Sequence, residues 1–242
     1  TSTSKRSKHC IRFFGCKSLG NLDDIPTAFW EGWGSVTDVE SLFVNVGASI
    51  AGGVNPPNFG NATFGSSLTF QSMFQQVRFN ANVDTSNFDM SSLSGGSANA
   101  GSLKAMFYLS DGITSVDGSG WAMSATGFKT MRDAFRSSEI TSVDLSDTNS
   151  DFSALISIQD AARSSAGITS FAWPSNADFS SLTTATNFCL VTEQPMTTAE
   201  YDNFLTRIDA TNSNTGVTYS MGSCTYTGGG AVATARAAIV AA

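Results

Sequence analysis

Apolar side chains recur along this chain in short blocks separated by runs of Ser, Thr, Asn, Asp and Gly. Three copies of one segment, ITSVD at 113–117, ITSVD at 140–144 and ITSF at 168–171, follow one another at a nearly constant interval. Ile140, Val143 and Leu145 are its apolar positions. Val143 and Leu145 alternate with Asp144 and Ser146, the period-two pattern of a short half-buried strand. A second block ends in a small residue or Met followed, in most copies, by an aromatic: Leu42-Phe43, Met73-Phe74, Met106-Phe107, Ala134-Phe135, Ala161-Ala162 and Asn187-Phe188. Its interval is wider over the first three copies and settles from Phe107 onward to that of the ITSVD segments. Between the two blocks, DFSAL and DFSSL place Phe152 with Leu155 and Phe179 with Leu182. These are apolar plugs for the inside of a bend, flanked by Ser, Asp and Asn that favour turns by bonding the nearby backbone. In FKTMRDAF at 128–135, Phe128, Met131, Ala134 and Phe135 fall at i, i+3, i+6 and i+7, which predicts a short helix with one buried face.

A unit recurring at this period predicts a stack of coils, each burying its apolar face against its neighbours, so that function lies on an extended surface. The expected fold class is an α/β solenoid, a leucine-rich-repeat-like right-handed stack of strand, turn and short-helix coils with atypical end caps. ITSVDLSDTNSDFSAL followed by the aromatic block resembles the BspA-type leucine-rich repeats of bacterial surface proteins and phage virion proteins, over roughly residues 35–190. Two departures stand out. The Cys that often follows the aromatic in such repeats is absent after Phe74, Phe107 and Phe135, and GGVNPPNFGNATFGSS and SSLSGGSANAGS read as inserted loops.

Both ends differ from the repeat, as terminal coils need covering. Residues 1–34 read as a basic arm followed by an aromatic cap of Phe13, Phe14, Phe29, Trp30 and Trp33. Residues 35–190 form the repeat body, and residues 191–242 the C-terminal cap. There Thr197 and Glu200 make a capping box, with Tyr201, Phe204, Leu205 and Ile208 at i, i+3, i+4 and i+7, which predicts a helix. A strand from about Val217 to Tyr226, a Gly228-Gly229-Gly230 turn and an Ala-rich helix are expected to follow. No Lys-Ser/Thr follows the glycines, so they are not a phosphate-binding loop.

Charge narrows the function. Only 14% of residues are charged, against about 25% in an average soluble domain. The net charge of −7 is unevenly placed: Lys5, Arg6, Lys8, Arg12 and Lys17 give +5 at the N-terminal end, leaving −12 for the rest. An acidic body argues against nucleic-acid binding, which rests on clustered cations. The arm, through Lys5, Arg6 and Lys8, is the candidate for docking onto an acidic partner or a larger assembly; a solvated tail is the plainer reading. No apolar run approaches the length of a membrane-crossing helix, so no span is expected. No apolar stretch suited to a signal peptide follows the basic start, so either a signal has been removed or export does not use one. A surface so weakly charged and repetitive leaves self-association into a homo-oligomer open.

Cys10, Cys16, Cys189 and Cys224 match neither paired C-x-x-C zinc spacing nor a disulfide scaffold. A Cys10–Cys16 disulfide closing the first turn is one reading and free thiols the other, while Cys189 reads as a small buried core residue. The single histidine, His9, lies in the arm, away from any Ser or Cys nucleophile of the body, so no triad is expected and the chain reads as non-enzymatic. Asp84, Asp117 and Asp144 each follow a strand valine (Val83, Val116, Val143) and are expected to form a column about 4.8 Å apart from coil to coil, as turn caps or, sharing a cation, as a calcium site. Trp121 and Trp173 are placed on or just after the strands, where they can stack on sugars or pack over the core. Two functions are expected from this surface. One is an extracellular receptor-binding or adhesion protein, of a virion or a bacterial cell surface, recognising a host glycan or surface protein. The other is a structural or decoration subunit docked through the arm onto other subunits of an assembly.

Overall fold

The computed structural model describes residues 13, 21–36, 38–62, 64, 69–86, 88–93, 102–123, 126–165, 167–190 and 192–241. Among these, regular elements are few: α1 (Thr27–Glu31), a 3-10 turn (Gly32–Ser35), β1 (Ser115–Asp117), β2 (Ser142–Asp144), β3 (Ser170–Ala172), α2 (Thr198–Thr211) and α3 (Gly230–Ala241). The three strands form one parallel sheet in the order β1-β2-β3, with Val116 level with Val143 and Val143 level with Phe171. Ile113, Ile140 and Ile168 before the strands, and Val116, Val143 and Phe171 within them, are all buried.

The stretch predicted to be helical in each unit is not a helix. Residues 132–137 are a series of turns. The N–H groups of Met131, Asp133, Phe135 and Ser137 donate to the carbonyls of Ser157, Gln159, Ala161 and Arg163 in the next unit, at 2.9, 3.1, 2.8 and 2.9 Å. The intervening N–H groups of Ala134 and Arg136 donate back to Met131 and Asp133, at 2.9 and 3.3 Å, and that of Arg132 donates to Thr130 Oγ1 at 3.1 Å. Every second amide is thus spent on the neighbouring unit rather than on a helical ladder, and each backbone N–H of the run still finds an acceptor. The backbone reaches this alternation through left-handed residues four apart, Asp133 (φ 58) with Ser137 (φ 54), and Asp160 (φ 56) with Ser164 (φ 59). The pattern recurs at Ser41 and Asn45, Ser72 and Gln76, and Ala105 and Leu109. Left-handed backbone costs an L-residue roughly 1–2 kcal/mol, least for Asn and Asp. Here it is held by the hydrogen bonds to both sides. Phe128, Met131, Ala134 and Phe135 are buried as a helical face would have been, so the apolar spacing was satisfied without the helix.

These return segments stack an aromatic column through the core. Phe13, Phe43, Phe74, Phe107 and Phe135 follow one another with ring centroids 5.5, 5.5, 5.3 and 5.7 Å apart and interplanar angles of 7, 2, 14 and 12°. The column then stops, because the next position is Ala162. In that unit the strand position held elsewhere by Val116 and Val143 is Phe171, whose ring meets Phe135 edge-on at 5.6 Å and Phe188 at 5.2 Å. A large residue at one core position thus accompanies a small one at another, which keeps the interior filled. The hydrogen bond from Ala162 to Phe188 O, with Asn187 left-handed like Asp160, sets the next unit one residue further along than the Asn187-Phe188 pairing predicts. Phe188 stands level with Ala161 and the buried Cys189 level with Ala162.

At the C-terminal side the capping box is present: Thr197 Oγ1 accepts the Glu200 N–H at 3.3 Å, and Glu200 Oε2 accepts the Thr197 N–H at 2.7 Å. Phe204, Leu205 and Ile208 are buried, and Phe204 packs on Trp173 and Phe179. Polar side chains of α2 and the residues after it satisfy backbone groups of the preceding unit. Asn203 donates to Trp173 O at 3.2 Å, Arg207 to Ala177 O at 2.7 Å, and Asn212 to Phe179 O and Leu182 O at 2.8 and 2.9 Å. They occupy the sites where another unit's amides would bond, which removes an exposed edge. The strand expected over 217–226 is reduced to a single parallel bridge between Ala185 and Tyr219. At the other end Trp30 is fully buried against Phe13, Phe43 and Phe59, whereas Phe29 is partly exposed. Phe14 lies outside the described residues.

Candidate interaction faces

Two outer faces follow from the stacking. On the strand face, residues between the buried Ile and Val positions point outward and fall in rows: Thr114, Thr141 and Thr169, exposed, and Ser115, Ser142 and Ser170, half-buried. Asp117 is level with Asp144, and Asp144 with Ala172, so the carboxylate row stops at β3. Each Asp is occupied locally. Asp84 Oδ1 accepts Ser86 N–H at 3.0 Å and Ser86 O–H at 2.6 Å. Asp117 Oδ1 accepts the same pair from Ser119, at 3.0 and 2.6 Å, and Asp144 Oδ1 accepts Ser146 N–H at 2.8 Å. All three fix the turn that leaves the strand position. Among the described residues no three His, Cys, Asp or Glu side chains gather as a group able to hold a metal ion.

Trp121 and Trp173 require a correction. Trp121 is fully buried, and its Nε1 donates to Thr85 O at 2.8 Å beneath the strand face. Trp173 is 4% exposed and packs among Phe152, Phe171, Phe179 and Phe204 at centroid distances of 5.6, 4.9, 5.3 and 5.8 Å. Neither indole can stack on a sugar. Burial of an indole removes more apolar surface from water than any other side chain here, so the inward position prevails wherever the backbone offers both. Lys5, Arg6, Lys8, Cys10 and Cys16 lie outside the described residues.

The second face is made by the return segments, and it carries charge that the motifs did not bring to notice. Lys104 stands level with Arg132 in the next unit, and Arg136 level with Arg163. Asp133 and Asp160 lie among them at the left-handed positions. Arg136 Nη1 meets Asp133 Oδ1 at 2.9 Å, Arg163 Nη1 meets Asp160 Oδ1 at 3.0 Å, and Arg132 Nε approaches Asp133 Oδ2 at 3.4 Å. The hydrogen bond to Asp133 holds the Arg136 proton still more firmly than usual, and the guanidinium lies 5.7 Å from the Tyr108 ring centre. A cleft of about 300 Å³ opens here, lined by Gln71, Gln75, Lys104, Tyr108, Asp133 and Arg136. By contrast, residues 110–128, 138–156 and 165–196 contain Asp111, Asp117, Glu139, Asp144, Asp147, Asp151, Asp178 and Glu193 and not one Lys or Arg. In these units Lys and Arg are thus confined to the neighbourhood of the return segments, together with Asp133 and Asp160, while Asp111 is met by Arg78 of the preceding unit at 3.2 Å. A sequence signal existed, since the body's cations cluster beside the Met-Phe and Ala-Phe blocks.

Among the described residues no helix is long and apolar enough to cross a membrane. Comparisons with protein-family models, with curated proteins and with solved structures found no match to this chain.

Proposed function

We infer that the chain is a leucine-rich-repeat-like solenoid of BspA type that acts without catalysis as an extracellular receptor-binding or adhesion protein, on a virion or a bacterial cell surface, and recognises a host glycan or surface protein. The observation that carries this reading is the alignment of equivalent polar side chains into rows on the outer faces, Thr114, Thr141 and Thr169 being one such row. Parallel units about 4.8 Å apart repeat each contact along the stack, so a surface polymer or an extended protein segment meets many weak contacts that sum. The hydroxyls, amides and Asx turns there form hydrogen bonds with little salt dependence. The second reading, a structural or decoration subunit, draws on the +5 charge of residues 1–17, which suits docking onto an acidic assembly surface.

Binding of the labelled full-length protein to intact bacterial cells and to an immobilised glycan panel tests the first reading, which absence of binding to both overturns. Replacing Lys5, Arg6 and Lys8 by Gln separates the two. Incorporation into the native assembly is lost under the second reading, while cell binding persists under the first.

A further inference from the structure

The last unit and the C-terminal cap meet at two thiols. Cys189, 2% exposed, continues the core column beyond Ala162. The bond from Phe188 N–H to Ser220 O, at 2.9 Å, sets Cys189 level with Gly222 by the pairing seen between earlier units. Gly222 is left-handed (φ 68), and a Cβ built on it would lie 2.5 Å from Cys189 Sγ, so the sulfur fills the room of a side chain there. The chain turns at 222–223 and brings in Cys224, half-buried, whose flanks are tied to the same loop. Ser223 N–H donates to Glu193 O at 2.7 Å, the carbonyl that the Cys189 thiol also faces at 3.9 Å, and Thr225 Oγ1 bonds Thr198 Oγ1 at 2.8 Å. The Cys224 sulfur is bonded by the backbone of Met196, which is fully buried. The two thiols also sense each other. Burial, and after it the charge of Cys224, raises the Cys189 thiol; the Tyr201 phenol is raised by burial, then by Cys224 and more weakly by Cys189.

We propose that Cys189 and Cys224 are a redox pair whose disulfide staples the last unit to the C-terminal cap. The pair acts whichever ligand the outer faces take, so it stands apart from the receptor-binding reading. The end unit of a stack has a neighbouring unit on one side only, which makes this seam the place where the solenoid opens first. The loop closed by the bond contains all of α2, and closing a long loop restricts the unfolded chain most. A small-molecule disulfide such as oxidised glutathione is the oxidant. The thiolate of Cys224, the less buried of the two, attacks one glutathione sulfur, expels the other as a thiolate and forms a mixed disulfide. The Cys189 thiolate then attacks the Cys224 sulfur and expels the second glutathione. The two cysteine protons pass to the two glutathione thiolates, and the two electrons given up in forming the protein bond reduce the glutathione disulfide. Burial holds both cysteines as thiols, and only thiolates attack, so exchange in the closed fold is slow at neutral pH and quickens as pH rises.

The test uses the full-length protein with Cys10 and Cys16 replaced by Ser, equilibrated in a glutathione redox buffer at about pH 9, once folded and once in urea. Intact mass of the folded protein should fall by two hydrogens. A tryptic digest should then join peptide 164–207 to peptide 208–236, which carry one cysteine each. At one glutathione ratio, the proportion of linked to reduced protein should be at least about tenfold higher folded than in urea, since the fold presents the thiols to each other. The linked form should melt about 5–10 °C above the reduced form, and a thiol reductant should reverse the gain. Cys189→Ala, which repeats the alanine already held at the level position 162, and Cys224→Ser should each abolish the linked peptide and the rise in Tm. Either variant suffices if the other fails to fold. A linked proportion no greater folded than in urea, glutathione capping without linkage, or a linked form that melts no higher than the reduced one would each overturn the proposal.

Discussion

Phe171 and Ala162 allow the filling of the core to be measured as an exchange between two positions. Phe171→Val makes β3 resemble β1 and β2, where Val116 and Val143 hold that place, but it removes the ring that meets Phe135 at 5.6 Å, Phe188 at 5.2 Å and Trp173 at 4.9 Å. Full truncation of a buried Phe to Ala costs about 3–5 kcal/mol, and Val keeps part of that volume. With lost aromatic pairs at about 0.5–1.5 kcal/mol each, Phe171→Val should cost roughly 2–4 kcal/mol. Ala162→Phe alone inserts a ring beside one that already fills the space, an overpacking cost of about 1–3 kcal/mol. If Phe171 occupies the room that the column's next ring would take, the double variant continues the stack past Phe135. It should then be about 2 kcal/mol more stable than the sum of the single effects. Urea unfolding followed by far-UV circular dichroism and by tryptophan emission gives the three stabilities, with an unchanged m-value as the check that the unfolded state is the same. Additivity within about 0.5 kcal/mol would refute the exchange.

Two further outcomes are expected. Trp121→Phe keeps a ring in the core but strips the donor from Thr85 O, bonded at 2.8 Å, so stability should fall by about 1–3 kcal/mol while cell binding at equal folded concentration stays unchanged; lost binding without lost stability would restore the indole to the ligand face. Alkaline pH should destabilise the protein. Burial pushes the Cys224 thiol from its ordinary 9.0 up to about 11 and the Tyr219 phenol from 10.0 up to about 12, so the folded state holds both protons more tightly than the unfolded chain. The stability this gives is fully present below about pH 9 and is lost as pH rises through 9–11 for Cys224 and 10–12 for Tyr219. Thermal melts from pH 8 to 11 should show Tm falling above pH 9, and Cys224→Ser should flatten the first part of the fall.

Part of this protein was legible residue by residue. The ITSVD spacing announced parallel strands because a period-two apolar pattern, repeated at one interval, has few other uses, and Thr197 with Glu200 announced α2 because a capping box acts within a single helical turn. The inward positions of Ile140, Val143, Leu145, Phe152 and Phe179 followed from local pattern alone and are found buried. The return segment was misread because apolar residues at i, i+3 and i+7 present one face equally well from a helix or from a run of turns. What decides between them is where alternate amides find carbonyls, and those carbonyls belong to the next unit, as Phe135 N–H to Ala161 O shows. The same holds for the unit beginning near Asn187. A one-residue shift changes little in composition, and only the bond from Ala162 to Phe188 O fixes it. Trp121 and Trp173 carry both an apolar ring and a polar tip, so sequence could not choose between core and ligand face until packing against Phe152, Phe171 and Phe179 did. Charge lay between these cases. The order of Lys, Arg, Asp and Glu along the chain was always visible, but only the folding of distant segments into adjacent rungs gathered Lys104, Arg132, Arg136 and Arg163 onto one face. Sequence determined which residues repeat, because pattern and caps act over a few positions; tertiary structure decided what the repeats confront, because those partners lie a whole unit away.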